Sequence, residues 1–272
     1  MRIGILTSGG DCPGINATIR GVCKTAINHY GMEVIGIHSG FQGLLTKEVE
    51  TFDEKSLSGL LNLGGTILGT SREKPFKKKG ITADTNKPAL IERNVKELGL
   101  DCVVCIGGKG TQKTAAKLSA MGINVVSIPK TIDNDIWGTD FSFGFDSAVN
   151  IATDAIDRLH STASSHKRVM VIEVMGHKAG WIALYSGMAG GGDVILIPEI
   201  PYDIDKVKEK IESRYKKGRG FCIIVVAEGS KNANGEQVGM ESQIPGDRHF
   251  KLGGIGEALK FELQQAGIEH DI

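Results

Sequence analysis

Short runs of consecutive apolar residues alternate along this chain with longer stretches whose apolar positions recur every three or four residues. That is the pattern of parallel strands joined by crossover helices. Strand-like runs occupy residues 3–7, 34–37, 102–106, 125–128, 169–174, 194–197 and 222–227. Several are apolar throughout, as strands covered on both faces are. Between them Ile15, Ile19, Val22, Cys23, Ala26 and Ile27 keep helical spacing, as do Ala148, Ile151, Ala152, Ala155, Ile156 and Leu159. A further helix is predicted over 255–265. The pattern therefore predicts an α/β fold with mostly parallel sheets covered by helices, and no internal repeat. The polar, glycine-rich stretch 230–246 follows neither period and predicts a long surface loop, while 269–272 reads as the approach to another strand.

Length and composition narrow this little. A chain of 272 residues, 40% hydrophobic and 24% charged, is ordinary globular material for one large or two modest domains, and two are expected. Lys+Arg 32 balances Asp+Glu 32, so net charge argues against nucleic-acid and membrane partners and any anion site must be local. The cluster Lys77-Lys78-Lys79-Gly80 lacks interleaved aromatics and predicts a solvated loop. No apolar run reaches bilayer length and the first residues read as a strand, so a cytoplasmic protein is expected. The five cysteines, at 12, 23, 102, 105 and 222, are odd in number and scattered, which predicts reduced thiols. Cys102 and Cys105 have C-x-x-C spacing but flank Val103-Val104 in an apolar run with no further ligand pair, so burial is expected rather than metal or redox chemistry.

Glycines at strand exits carry the chemistry. Thr7-Ser8-Gly9-Gly10-Asp11-Cys12-Pro13-Gly14 precedes a helix whose N-terminal amides could hold phosphate, although a glycine turn after the first strand is common in this class. Gly107-Gly108-Lys109-Gly110-Thr111 has the same setting; small residues let the backbone approach a polyphosphate, or simply satisfy a tight turn. Most informative is Pro129-Lys130-Thr131-Ile132-Asp133-Asn134-Asp135. Two carboxylates, a hydroxyl and a cation in one loop supply a proton acceptor, a metal partner and charge neutralisation for phosphoryl transfer to an alcohol. An ordinary dinucleotide oxidoreductase is disfavoured, since no G-x-G-x-x-G follows the first strand.

These motifs together resemble the phosphofructokinase family along the whole chain. Thr131-Ile132-Asp133-Asn134-Asp135 and the Gly-Gly-Asp-x-Pro-Gly start carry the resemblance, with Gly69-Thr70-Ser71-Arg72, Ser164-Ser165-His166-Lys167-Arg168, Glu173-Val174-Met175-Gly176-His177 and Ala227-Glu228-Gly229 in support. The resemblance implies two Rossmann-like domains, a phosphoryl-donor domain at 1–144 and a fructose 6-phosphate domain at 145–272, the latter incomplete at its end. It implies transfer of the γ-phosphoryl of ATP to the 1-hydroxyl of fructose 6-phosphate in glycolysis. Asp133 would be the general base, Thr131 would lie beside the transferred group, Asp135 would support the metal and the loop, and Arg72 would neutralise developing charge. Gly10, Phe41, Arg72, Glu73, Gly108, Lys109, Gly110, Thr111 and Lys130 would border the donor. Thr131, Ile132, Asp133, Met175, Gly176, His177 and Glu228 would hold the sugar phosphate, with Arg168 reaching it from a neighbouring subunit of a tetramer or dimer. Mg2+ is the implied cofactor and effector regulation near Arg20 is implied, although Lys24 stands where a second arginine is usual.

The chain also departs from the family pattern. Lys109 stands where the family has a magnesium-binding aspartate, which changes the local charge by two units. Gly110 goes with ATP, because it leaves room for a nucleotide, whereas Lys130 is shared with pyrophosphate users. The chain ends before the family's His-Ile-Gln-Arg-Gly-Gly segment. ATP is the expected donor; a pyrophosphate-dependent enzyme and a non-catalytic sugar-phosphate or nucleotide-binding paralogue are the alternatives.

Overall fold

The computed structural model describes residues 1–77, 86–241 and 250–272; residues 78–80 of the basic cluster and 242–246 of the predicted loop lie outside the described residues. The chain forms two compact units, Met1–Thr131 with Asp135–Gly144, and Ile132–Asn134 with Phe145–Ile272.

The first unit is built on a sheet of β1 (Arg2–Ser8), β2 (Glu33–Ile37), β3 (Val49–Phe52), β4 (Cys102–Gly107), β5 (Val125–Thr131) and β6 (Phe143–Gly144), in spatial order β3-β2-β1-β4-β5-β6. All neighbours are parallel except the edge strand β3, which runs antiparallel to β2. After β1 the chain moves outward to β2, then returns across β1 to β4. The switch point thus falls between β1 and β4, where open α/β sheets bind ligands beyond their strand ends. Helices α1 (Ile15–Tyr30), α2 (Phe41–Thr46), α3 (Lys87–Glu97) and α4 (Lys109–Ala120) belong to this unit. The apolar spacing predicted for α1 buries Ile15, Ile19, Cys23 and Ala26. Leu6, Ile37, Phe41, Leu44, Ile91, Val103, Cys105 and Leu118 share one core cluster.

The second unit has three parallel strands, β7 (Val169–Val174), β8 (Val194–Leu196) and β9 (Cys222–Ala227), in order β7-β9-β8. Central β9 is buried at every residue and divides its side chains by parity. Cys222, Ile224 and Val226 join Val207, Ile211, Leu259 and Leu263 from α7 (Ile204–Lys216) and α8 (Ile255–Gln265). Ile223, Val225 and Ala227 join Ile156, Ala163 and Ala183 from α5 (Phe145–His166) and α6 (Trp181–Ala189). Within the stretch predicted as a loop over 230–246, β10 (Gly239–Glu241) forms and pairs antiparallel with β11 (Phe250–Leu252). Residues 269–272 form no strand. They are held by a backbone bond from Val169 N–H to the Asp271 carbonyl, by the Arg168–Asp271 ion pair, by packing of Ile272 on the core and by the stacking of His270 on Tyr215 with ring centroids 3.5 Å apart.

All five cysteines are free and buried, as their apolar settings predict. Burial disfavours the thiolate. It pushes Cys12 up to about 11 and Cys23, Cys105 and Cys222 to about 12, and raises Cys102. Iodoacetamide at pH 8 is therefore expected to leave all five unmodified in the folded chain and to label five after denaturation, read by mass spectrometry. Rapid labelling of the native protein at any of them would contradict this burial.

Candidate active site

In the first unit the exits of β1 and β4 lie side by side, because Ser8 is in register with Gly107. Gly107 is required there. A Cβ at this position would stand 2.3 Å from Thr111 Oγ1 and 2.7 Å from the Ser8 carbonyl. The Thr111 side chain is buried at 5% exposure and its hydroxyl donates to the Ser8 carbonyl at 3.3 Å. The Thr111 hydroxyl is therefore engaged within the turn, and only the backbone of this residue is left to meet a ligand. Helix α4 begins directly after this turn with no side-chain cap and no acidic residue in its first turn. Its first amides have no intrahelical acceptor and face the strand exits with partial positive charge. Gln112 fixes the turn, donating from Nε2 to the carbonyls of Gly107 at 2.8 Å and Ile128 at 3.0 Å.

The segment 69–72 is laced to the β1 exit. Thr7 Oγ1 donates to the Gly69 carbonyl at 2.7 Å, Thr70 Oγ1 to the Gly9 carbonyl at 2.5 Å, and Gly9 N–H to the Ser71 carbonyl at 3.2 Å. Arg72, one residue further, is exposed beside the turn. Glu73 is not: its carboxylate pairs with Lys87 at 2.8 Å. Lys130 is only 5% exposed and its ammonium donates to the Gly10 carbonyl, so it pins the glycine turn and is not an open phosphate ligand. Lys109 Nζ, by contrast, is 61% exposed on its side chain and pairs with Asp135 Oδ2 at 3.0 Å. The Phe41 ring lies in the core at 1% exposure, which corrects its expected place beside a nucleotide; what is buried among Leu6, Ile37 and Leu44 cannot stack on a base.

Thr131 ends β5 and its carbonyl accepts from Ser142 Oγ at 2.6 Å. Ile132, Asp133 and Asn134 group with the second unit, and Asn134 takes a left-handed φ of 50°.

In the second unit the ends of β7 and β9 build a rigid turn. Glu228 Oε1 accepts from Gly176 N–H at 3.2 Å and His177 N–H at 2.8 Å, and Glu228 N–H donates to the Val174 carbonyl at 2.8 Å. Gly176 has φ 147° and a Cβ there would meet the Ala179 carbonyl at 2.4 Å, so the turn needs glycine. Met175 is left 62% exposed at its edge. Arg168 pairs through Nε with Asp271 at 2.5 Å. Two further carboxylates have structural roles: Glu199, which the sequence reading missed, accepts from Gly180 N–H at the start of α6 at 3.0 Å, and Glu173, read there only as part of a motif, accepts from Gly254 and Gly256 N–H at the start of α8, each at 3.0 Å. The available signal was a carboxylate at the end of an apolar strand, which needs a partner.

A model of the Phosphofructokinase family matches residues 2–271. The chain belongs to the phosphofructokinase family. It is 82% identical over 229 residues to the ATP-dependent 6-phosphofructokinase 3 of Bacteroides thetaiotaomicron, covering 84% of this chain and 68% of that relative. It is 59% identical over 231 residues to the ATP-dependent 6-phosphofructokinase of Spirochaeta thermophila, covering 84% of this chain and 63% of the other. The solved phosphofructokinase of Saccharomyces cerevisiae is similar in fold, with TM-score 0.80 and 31% identity over 98% of this chain and 37% of that one. The chain thus spans about a third to two thirds of the lengths of these relatives.

The turn at 107–111 carries the ammonium of Lys109 where the resemblance implies a magnesium-binding aspartate. An ammonium already occupies Asp135, and among the described residues no group of three or more His, Cys, Asp or Glu is placed to hold a metal ion. The donor set at 109 and 135 does not fit a protein-held Mg2+.

The Glu228 contacts generate a test. Bonds from amides to a charged acceptor contribute about 1.5–3 kcal/mol each. Glu228→Ala is expected to speed amide hydrogen exchange at Gly176 and His177 by about 10- to 100-fold while β9 stays protected. Glu228→Gln, which keeps an acceptor, should have a smaller effect.

Proposed function

We propose that the chain is an ATP-dependent 6-phosphofructokinase, moving the γ-phosphoryl of ATP to the 1-hydroxyl of fructose 6-phosphate to give fructose 1,6-bisphosphate and ADP, a glycolytic step. The observation that carries this reading is the 82% identity to a relative named for that activity. Two strand exits support it from the residues upward, since Gly107-Gly108 lie at the end of β4 and Thr131 and Asp133 at the end of β5 and just beyond it, in a switch-point sheet.

In this reading the donor phosphates lie on the amides that open α4, with Gly10, Gly108 and Gly110 keeping the backbone accessible. No atom lies within 4 Å of a Cβ built on Gly110, which suits a nucleotide rather than pyrophosphate, and both curated relatives above are named for ATP. Asp133 accepts the proton of the sugar 1-hydroxyl as its oxygen attacks the γ-phosphorus. The bond from that phosphorus to the bridging oxygen breaks, and ADP leaves with the electron pair. Arg72, always charged, neutralises the oxygens that gain charge, and Thr131 orients the transferred group. Met175, Gly176 and His177 present a preformed edge to the sugar, which Glu228 stiffens and touches with its remaining oxygen.

The reading extends to a homo-oligomer, tetramer or dimer, in which Arg168 leaves Asp271 to meet the 6-phosphate in a neighbouring subunit, and to a cytoplasmic enzyme. Among the described residues no helix is long and apolar enough to cross a membrane.

A coupled assay of ADP release tests the proposal. Turnover should depend on fructose 6-phosphate, and Asp133→Ala should lower kcat by roughly 10²- to 10⁴-fold with the KM for ATP changed only a few-fold. Undiminished turnover in that variant would remove Asp133 from the base role. Faster phosphate release with pyrophosphate than ADP release with ATP would overturn the choice of donor.

A further inference from the structure

We infer that the donor site of this chain takes its polyphosphate on a built-in cation, with no divalent ion bound to protein carboxylates. The inference rests on the donor reading above and concerns Lys109 and Asp135.

Lys109 is the first residue of α4, directly after Gly108 at the β4 exit. Its backbone therefore shares the first helical turn with the amides assigned to the phosphates, and its side chain reaches Asp135 in the loop after the neighbouring strand β5. Nζ donates to Asp135 Oδ2 at 3.0 Å. A divalent ion at this carboxylate would face an ammonium within hydrogen-bond distance of the same oxygen, and like charges at such range repel. The alternative occupant, a phosphate oxygen, meets an ammonium, the first amides of α4 and the positive end of its dipole, all of one sign. No carboxylate lies in that first turn to oppose it. The second cation nearby, Lys130, is held on the Gly10 carbonyl at 5% exposure, while Lys109 is exposed and can exchange Asp135 for a ligand. Asp135 thus serves as the resting counter-ion of Lys109, keeping the ammonium paired until a polyphosphate arrives. Lys109 contributes the charge that a protein-held metal would otherwise supply.

Two measurements decide this. Titration of Mn2+ alone, followed by the loss of its free electron-spin signal, is expected to find no site tighter than about 1 mM in the native chain and a site at least about tenfold tighter in Lys109→Asp, where two carboxylates face each other. Calorimetric binding of ATP to the native chain should change less than about threefold between excess Mg2+ and excess EDTA, and Lys109→Met should weaken binding in EDTA by about tenfold or more. Far-ultraviolet circular dichroism checks that both variants, altered at an exposed side chain, remain folded. A tight Mn2+ site in the native chain that is lost in Asp135→Asn overturns the inference, as does ATP binding seen only with Mg2+; neither result touches the kinase reading. ATP binding in neither condition overturns the donor reading and this inference with it.

Discussion

The parallel pairing of β1 with β4, with Ser8 opposite Gly107, is the constraint on which the first unit's chemistry depends. It sets two strand exits side by side at the point where the crossovers diverge, so neither exit is covered by its own following helix. The approach is close enough that any side chain at 107 would collide with the Ser8 carbonyl and with Thr111. Closeness has a second effect. The Thr111 hydroxyl donates to the Ser8 carbonyl, Gln112 to that of Gly107 and the Thr70 hydroxyl to that of Gly9, so these acceptors around the turn are spent on protein donors. The amides that open α4 remain, which makes the exit a place for an anion.

The second unit uses the opposite device. Glu173, Glu199 and Glu228 bring their own carboxylates to helix starts and to the turn at Gly176 and His177. These occupied amides are structural, and an anionic ligand gains nothing there unless it displaces a charge-assisted bond. A side-chain cation such as Arg168, whose partner is the exposed Asp271, is free of that competition. The start of α4 is left uncapped while the starts of α6 and α8 are closed, a difference that follows from where glutamates lie at or just beyond the strand ends.

Much of this could be read from the residues because buried parallel strands announce themselves. The runs at β4 and β9 are apolar for five or six residues and those at β1 and β7 for four, and structure and sequence agree on all of them within a residue or two. Strand β3, Val-Glu-Thr-Phe, was not seen, since an edge strand of four residues with one buried side chain offers almost no pattern. Strands β10 and β11 escaped for a related reason: three residues each, in a glycine-rich stretch, pair with each other and with no buried sheet. Site residues were legible as residue types and less so as roles. Phe41 looked like a ligand and is core, Lys130 looked like a phosphate cation and is a strut, and Glu73 is the partner of Lys87. Each role turns on a contact more than ten residues away in sequence, which spacing along the chain does not encode.

The two lysines flanking the donor turn differ in a way that decides their use. Lys130 is buried, and a buried ammonium without a partner costs several kcal/mol, so its bond to the Gly10 carbonyl cannot be released cheaply. An exposed ion pair contributes only about 0–1 kcal/mol. Lys109, 61% exposed against a partner at 21%, belongs to that second class and can leave Asp135 at small cost. A cation that must meet a ligand has to be weakly held at rest, and a cation that shapes the backbone has to be strongly held. The fold assigns one lysine to each task, and the division follows from burial alone: β5 carries Lys130 into the interior, while the first turn of α4 holds Lys109 at the rim.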